Sequence, residues 1–73
     1  GVTAAAPPEI LKRTHLKGDL RAGSAIHEFI AFGMADRAEL FDGPVDISYV
    51  PELNTFRGRT RMQLRVKAVR SAE

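Results

Sequence analysis

Seventy-three residues without a cysteine make one small domain, whose thin core has to hold without a disulfide or a thiolate-bound metal. No apolar run approaches the ~20 residues of a membrane span, so a soluble chain with no membrane partner is expected, and the absence of cysteine suits the reducing cytoplasm. The net charge of +2 hides a polarised chain, with four basic and two acidic groups over residues 1–22, one and six over 23–54, and six and one over 55–73, which predicts a positive face for nucleic acid or an acidic protein segment.

Residues 1–8, with three alanines and Pro7-Pro8 behind Gly1, read as a flexible tag or linker remnant, which puts the domain at 9–73. From His15 to Arg21 the pattern alternates, with Leu16, Gly18 and Leu20 on one side and His15, Lys17, Asp19 and Arg21 on the other. This predicts a half-buried strand. Ala22-Gly23-Ser24-Ala25 is turn-prone and leads into the apolar run Ile26 to Phe32, so the two segments form a predicted hairpin with Ile30 and Phe32 facing the core. Phe29 then falls on the other face, exposed or packed under a neighbouring domain.

Gly33 breaks that strand. Asp36 and Glu39 have capping-box spacing at the head of a short helix near 36–42, in which Ala38 and Phe41 share a face with Met34, and Gly43-Pro44 ends it. A second hairpin follows. Val45, Ile47, Tyr49 and Leu53 recur at even spacing between polar neighbours, which gives Tyr49 an inward register, and Pro51 marks an edge or a bulge. Asn54 to Gly58 reads as a longer turn, with Asn54 and Gly58 as turn residues. Beyond it Met62, Leu64 and Val66 alternate with Arg61, Gln63, Arg65 and Lys67. The expected fold is therefore mostly β: a small OB-like barrel or strongly curled antiparallel sheet of four or five strands with one short helix. A small open sheet packed on the helix is the alternative.

The chemistry-bearing residue types are scarce. His15 and His27 lie on different predicted strands without a carboxylate at ligand spacing, so no metal site is expected. Asp36 with Glu39 reads as capping, Asp42 with Asp46 as solvated loop charge, and no nucleophile triad or phosphate-cradling glycine loop can be assembled. No catalytic residue is expected in this chain. The basic last strand has more content. Side chains alternate across a sheet, so Arg59, Arg61, Arg65 and Lys67 project in a row at about 6 to 7 Å per step, a match for a nucleic-acid backbone or simply the wet side of an edge strand. Phe56, beside Arg57 in the basic turn, is the candidate for stacking on a base.

Five strings carry a resemblance: His15-Leu16-Lys17, Ile30-Ala31-Phe32-Gly33-Met34-Ala35-Asp36, Val45-Asp46-Ile47, Asn54-Thr55-Phe56-Arg57-Gly58 and Gln63-Leu64-Arg65-Val66-Lys67. In order and spacing they resemble the OB domain of RecJ-type single-strand-specific DNA exonucleases over residues 14–70. Ala68 departs from it, standing where the family commonly has an acidic residue, and the stretch before Thr14 matches poorly. The resemblance implies a fragment of a DNA repair and recombination hydrolase that degrades single-stranded DNA 5′ to 3′. Its Asp-His-His core, with manganese or magnesium, would lie outside this chain, which needs no cofactor of its own. Asn54, Phe56, Gly58 and Gln63 match family motif positions. The expected partners are single-stranded DNA, bound by Phe56, Arg57, Arg59, Arg61, Arg65 and Lys67, and the catalytic domains of the parent chain. The alternative is a protein-docking module for those domains or for the acidic tail of a single-strand-binding protein. An orphan OB-like domain in RNA handling would use the same surface.

Overall fold

A computed structural model describes residues 1–72, with the side chain of Phe56 outside that description. The strands are β1 (Thr3–Ala4), β2 (Glu9–Leu11), β3 (His15–Ala22), β4 (Ala25–Ala31), β5 (Val45–Phe56) and β6 (Arg59–Ser71), with a 3₁₀ helix, Ala35–Asp42, between β4 and β5. They form one sheet in the order β1-β3-β4-β6-β5, with β2 also paired to β3. Every pairing is antiparallel except β4 with β6. A parallel pair needs a crossover, and the 3₁₀ helix with β5 supplies it.

β1 and β2 both pair along β3, so together they act as one interrupted strand. The order is then that of a small OB barrel. Val2 and Val45 exchange two backbone hydrogen bonds of 2.8 Å, which brings the two outer strands together at one bridge. The sheet is strongly curled and short of full closure. Residues 1–8 are therefore not a linker outside the fold: Thr3 pairs with Arg21, Ala4 with Leu20, and Val2 makes the bridge.

The core is Leu16 and Leu20 from β3, Phe29 and Ala31 from β4, Phe41 from the helix, Val45 from β5, and Leu64, Val66 and Val69 from β6. The parity of β4 is opposite to the sequence expectation. Phe29 is completely buried, Phe32 is 47% exposed, and Ile30 sits between these extremes on the outer side. The cause lies in the turn. Ala22 pairs with Ala25 across Gly23-Ser24, and that register carries Leu16 opposite Ala31 and Gly18 opposite Phe29. Gly23, at φ +63, takes the positive-φ position of a two-residue hairpin turn. A one-residue change of register moves every side chain to the other face.

Gly18 makes room for the Phe29 ring. A Cβ there would lie 3.1 Å from Phe29 Cε1. On its other side Phe29 stacks on Phe41, with centroids 5.2 Å apart and 11° between planes. Phe41, Ala38 and Met34 do share the core-facing side of the helix. The capping box does not form: the residue preceding the helix is Met34, and no side chain caps it. With no strong cap and one short buried stripe, a tight 3₁₀ connector is the natural outcome.

The long hairpin of β5 and β6 differs from expectation in two places. Its turn is only Arg57-Gly58, with φ values of 51° and 76°, the double positive φ of a type I′ turn. Asn54 to Phe56 belong to β5. The second difference is a bulge: Ser48 pairs with Ala68 but Tyr49 with Val66, which leaves Lys67 as an extra residue on β6. The bulge switches parity, so Leu64 and Val66 point inward before it and Val69 after it. Tyr49, expected in the core, points inward opposite the buried Val66 but is 50% exposed, because β5 is the edge strand and leaves that side chain open laterally.

Urea unfolding tests this register. Phe29→Ala should cost about 3 to 5 kcal/mol, a whole aromatic core residue, whereas Phe32→Ala should stay within about 1 kcal/mol, as for a surface position. Losses of equal size would contradict the register.

Candidate nucleic-acid interface

Because directly paired residues share a face, the registers define what lies on the outer side of the sheet. β6 contributes Arg59, Arg61, Gln63 and Arg65, and β5 contributes Asn54, Glu52 and Val50 opposite the last three of these. β4 contributes Glu28 opposite Gln63 and Ile30 opposite Arg65. Lys17 of β3 lies opposite Ile30, Asp19 opposite Glu28 and Arg21 opposite Ile26. β4 thus presents Ile26 and Ile30, with Glu28 between them, flanked by two strands that carry cations.

Arg57, Arg59 and Arg61 converge with Asn54, Gln63 and Glu28 on a cleft of about 580 Å³ at the tip of the long hairpin. The polar side chains are linked. Asn54 Nδ2 donates to Gln63 Oε1 at 3.2 Å, and Gln63 Nε2 donates to Glu28 Oε1 at 2.9 Å. Glu28 Oε2 is 3.9 Å from Arg61 Nη1. The chain of contacts fixes the floor of the cleft, while three guanidinium groups supply planar donor forks that suit phosphate oxygens.

Arg65 stands apart from this cleft, two pleats further along β6. Its Nη1 lies 3.5 Å from Glu52 Oε1, and its guanidinium carbon lies 5.1 Å from the centroid of Phe32. His15 meets the same ring edge-on at 5.1 Å, and His15 Nδ1 accepts a hydrogen bond from the Gly33 backbone N–H.

The expected row of cations is therefore only partly one row. Arg59, Arg61 and Arg65 keep a common face, but Lys67 is the bulge residue and has no partner on β5. Arg57 joins the cleft from the turn. The side chain of Phe56 lies outside the described residues. Asn54 and Gln63, carried over from the family resemblance, meet in the cleft floor. Phe32, Glu28, Lys17 and Arg21 were not among the expected site residues. Counting pairs outward from the Gly23-Ser24 turn would have placed Phe32 on this face.

Among the described residues no group of three or more His, Cys, Asp or Glu side chains is placed to hold a metal ion. His15 and His27 lie on opposite faces, since His27 pairs with the inward Leu20. These residues do not fit a divalent-metal centre. No helix among the described residues is long and apolar enough to cross a membrane.

Residues 2–68 match the family model described as the RecJ OB domain. No curated protein and no solved structure matches the chain.

The cleft holds one carboxylate among three guanidinium groups, so Glu28 competes with any anion for Arg61. Glu28→Gln should raise affinity for a short inorganic polyphosphate by about two- to fivefold, the equivalent of one exposed ion pair. Calorimetric titration measures it. Weaker binding would show that Glu28 supports the site rather than opposing it.

Proposed function

We propose that this chain, which belongs to the RecJ OB domain family, binds single-stranded DNA on the outer face of its sheet and guides it toward a nuclease core carried outside these 73 residues. The observation that carries the reading is the convergence of Arg57, Arg59 and Arg61 with Asn54 and Gln63 on one cleft. In OB folds oligonucleotides are bound on the face of the second and third strands and by the loops that join the first strand to the second and the fourth to the fifth. Here those strands are β3 and β4, and those loops are the turns at Lys12-Arg13 and Arg57-Gly58. Both turns are basic.

Phosphates would be taken by Arg57, Arg59, Arg61 and Arg65, with Lys67 at the bulge of β6. From Arg59 to Arg65 the strand covers about 20 Å, enough to follow several nucleotides of an extended strand. The carboxylates Asp19, Glu28 and Glu52 on the same face keep that attraction moderate, which suits a surface along which DNA has to move. Chemistry on the DNA would belong to the parent's catalytic core and its metal ions.

A second reading rests on a different observation. On the inner side of the long hairpin Tyr49, Pro51, Leu53 and Met62 form an exposed apolar stripe, with Leu53 74% exposed. Such a stripe favours packing against another protein surface, either a neighbouring domain of the parent or a single-strand-binding protein. The two readings use opposite faces and are compatible.

A fluorescence-anisotropy titration of labelled oligothymidylate at two salt concentrations tests the first. Four to five neutralised phosphates, releasing ~0.7 counterion each, should weaken binding roughly 50- to 130-fold between 50 and 200 mM salt. The Arg61→Glu, Arg65→Glu double variant should abolish binding. Affinity that ignores both salt and charge reversal would sink the DNA reading, whereas Leu53→Ala should leave it intact.

A further inference from the structure

Phe32 is a large apolar ring on the wet face of a sheet, and its surroundings hold it there. His15 meets the ring edge-on, with its own orientation set by the hydrogen bond from Gly33 N–H to Nδ1. The Arg65 guanidinium lies over the ring and is tethered from the far side by Glu52. Phe32 is itself 47% exposed, so part of the ring remains open to solvent beside these two neighbours. Ile30 and Lys17, opposite one another in register, continue the face away from it.

The core gains little from this ring. Phe29 and Phe41 already fill the space on the inner side. A half-exposed aromatic held between a cation and an imidazole has the features of a surface for a flat, electron-rich partner, since nucleobases stack both on aromatic rings and on guanidinium planes. We propose that Phe32, Arg65 and His15 form a stacking subsite for one nucleobase of the bound single strand, at the end of β4 remote from the arginine cleft. This rests on the reading that the outer face binds single-stranded DNA, and it adds the base contact to a set of phosphate contacts. Phe32 has no hydrogen-bonding group, so the ring would accept any base. Arg65 serves twice, as part of the stack and as a cation within reach of the backbone.

The subsite is tested on the 73-residue chain with two oligothymidylates, one intact and one carrying abasic positions throughout its centre. Phe32→Ala should weaken binding of the intact strand by roughly 5- to 150-fold, the range for one stacked base, and should leave the abasic strand nearly unaffected. Phe32→Trp should restore the preference for the intact strand. The chain has no tryptophan of its own, so this variant also reports directly: its fluorescence should be quenched by the intact strand and not by inorganic polyphosphate. If Phe32→Ala keeps the same ratio of affinities as the unaltered chain, the subsite is refuted while DNA binding stands. If Phe56→Ala loses that preference and Phe32→Ala does not, the stack lies at the hairpin tip and the subsite is likewise refuted. Failure of the unaltered chain to bind either strand would remove the DNA reading, and this proposal with it.

Discussion

The fit of Phe29 between Gly18 and Phe41 is the contact on which the rest of the molecule depends. It joins the first hairpin to the 3₁₀ helix, and through the helix to the start of β5. An aromatic stack of this kind adds about 0.5 to 1.5 kcal/mol beyond area burial. Its larger effect is to fix parity. With Phe29 inward, Glu28, Ile30 and Phe32 have no alternative but the outer side, and the partner strands follow by register. A domain this small has few residues to spare for its core, so one ring decides which face meets solvent and which side chains are free to meet a ligand.

Much of the architecture is legible in the sequence because it rests on period two. The alternation of Leu16, Gly18 and Leu20, and that of Leu64 and Val66, identify β3 and β6 and their inward sides without help. Where alternation is absent the reading fails. Ile26 to Phe32 is apolar on both faces, so its own pattern carries no parity, and only the length of the Gly23-Ser24 turn sets it. The bulge at Lys67 is hidden for a related reason. A single extra residue leaves no mark in composition, yet it moves Val69 inward and ends the cationic row. Tyr49 illustrates a third limit, since register can predict which way a side chain points but not whether the core extends far enough to cover it.

Electrostatics explains why a surface with many arginines belongs to a chain with little net charge. Arg61 and Arg65 each face a carboxylate, Glu28 and Glu52, and Arg70 faces Asp46 near the other end of the hairpin. Exposed pairs of this kind contribute about 0 to 1 kcal/mol each, too little to hold the fold and enough to orient the side chains. Arg65 shows the consequence: its tether to Glu52 costs little to break, yet it places the guanidinium over Phe32. The same weak contacts can be exchanged for phosphate oxygens without loss of structure.

The long hairpin then has two faces with opposite chemistry because β5 and β6 continue beyond the core that organises them. Near the bulge the inward side chains of β6, Leu64, Val66 and Val69, are buried in the core. Toward the Arg57-Gly58 turn the same parity leaves Leu53 and Met62 exposed, while the outer parity brings Asn54, Arg61 and Gln63 to the cleft. One alternation therefore generates both an apolar stripe and a cationic cleft on a single arm. If the stripe were seated against another protein surface, the hairpin would be held rigid and the cleft would gain a fixed direction, which is what a guide for a flexible strand requires. On the proposed single-strand reading, an arm free on both sides would bind DNA without aiming it.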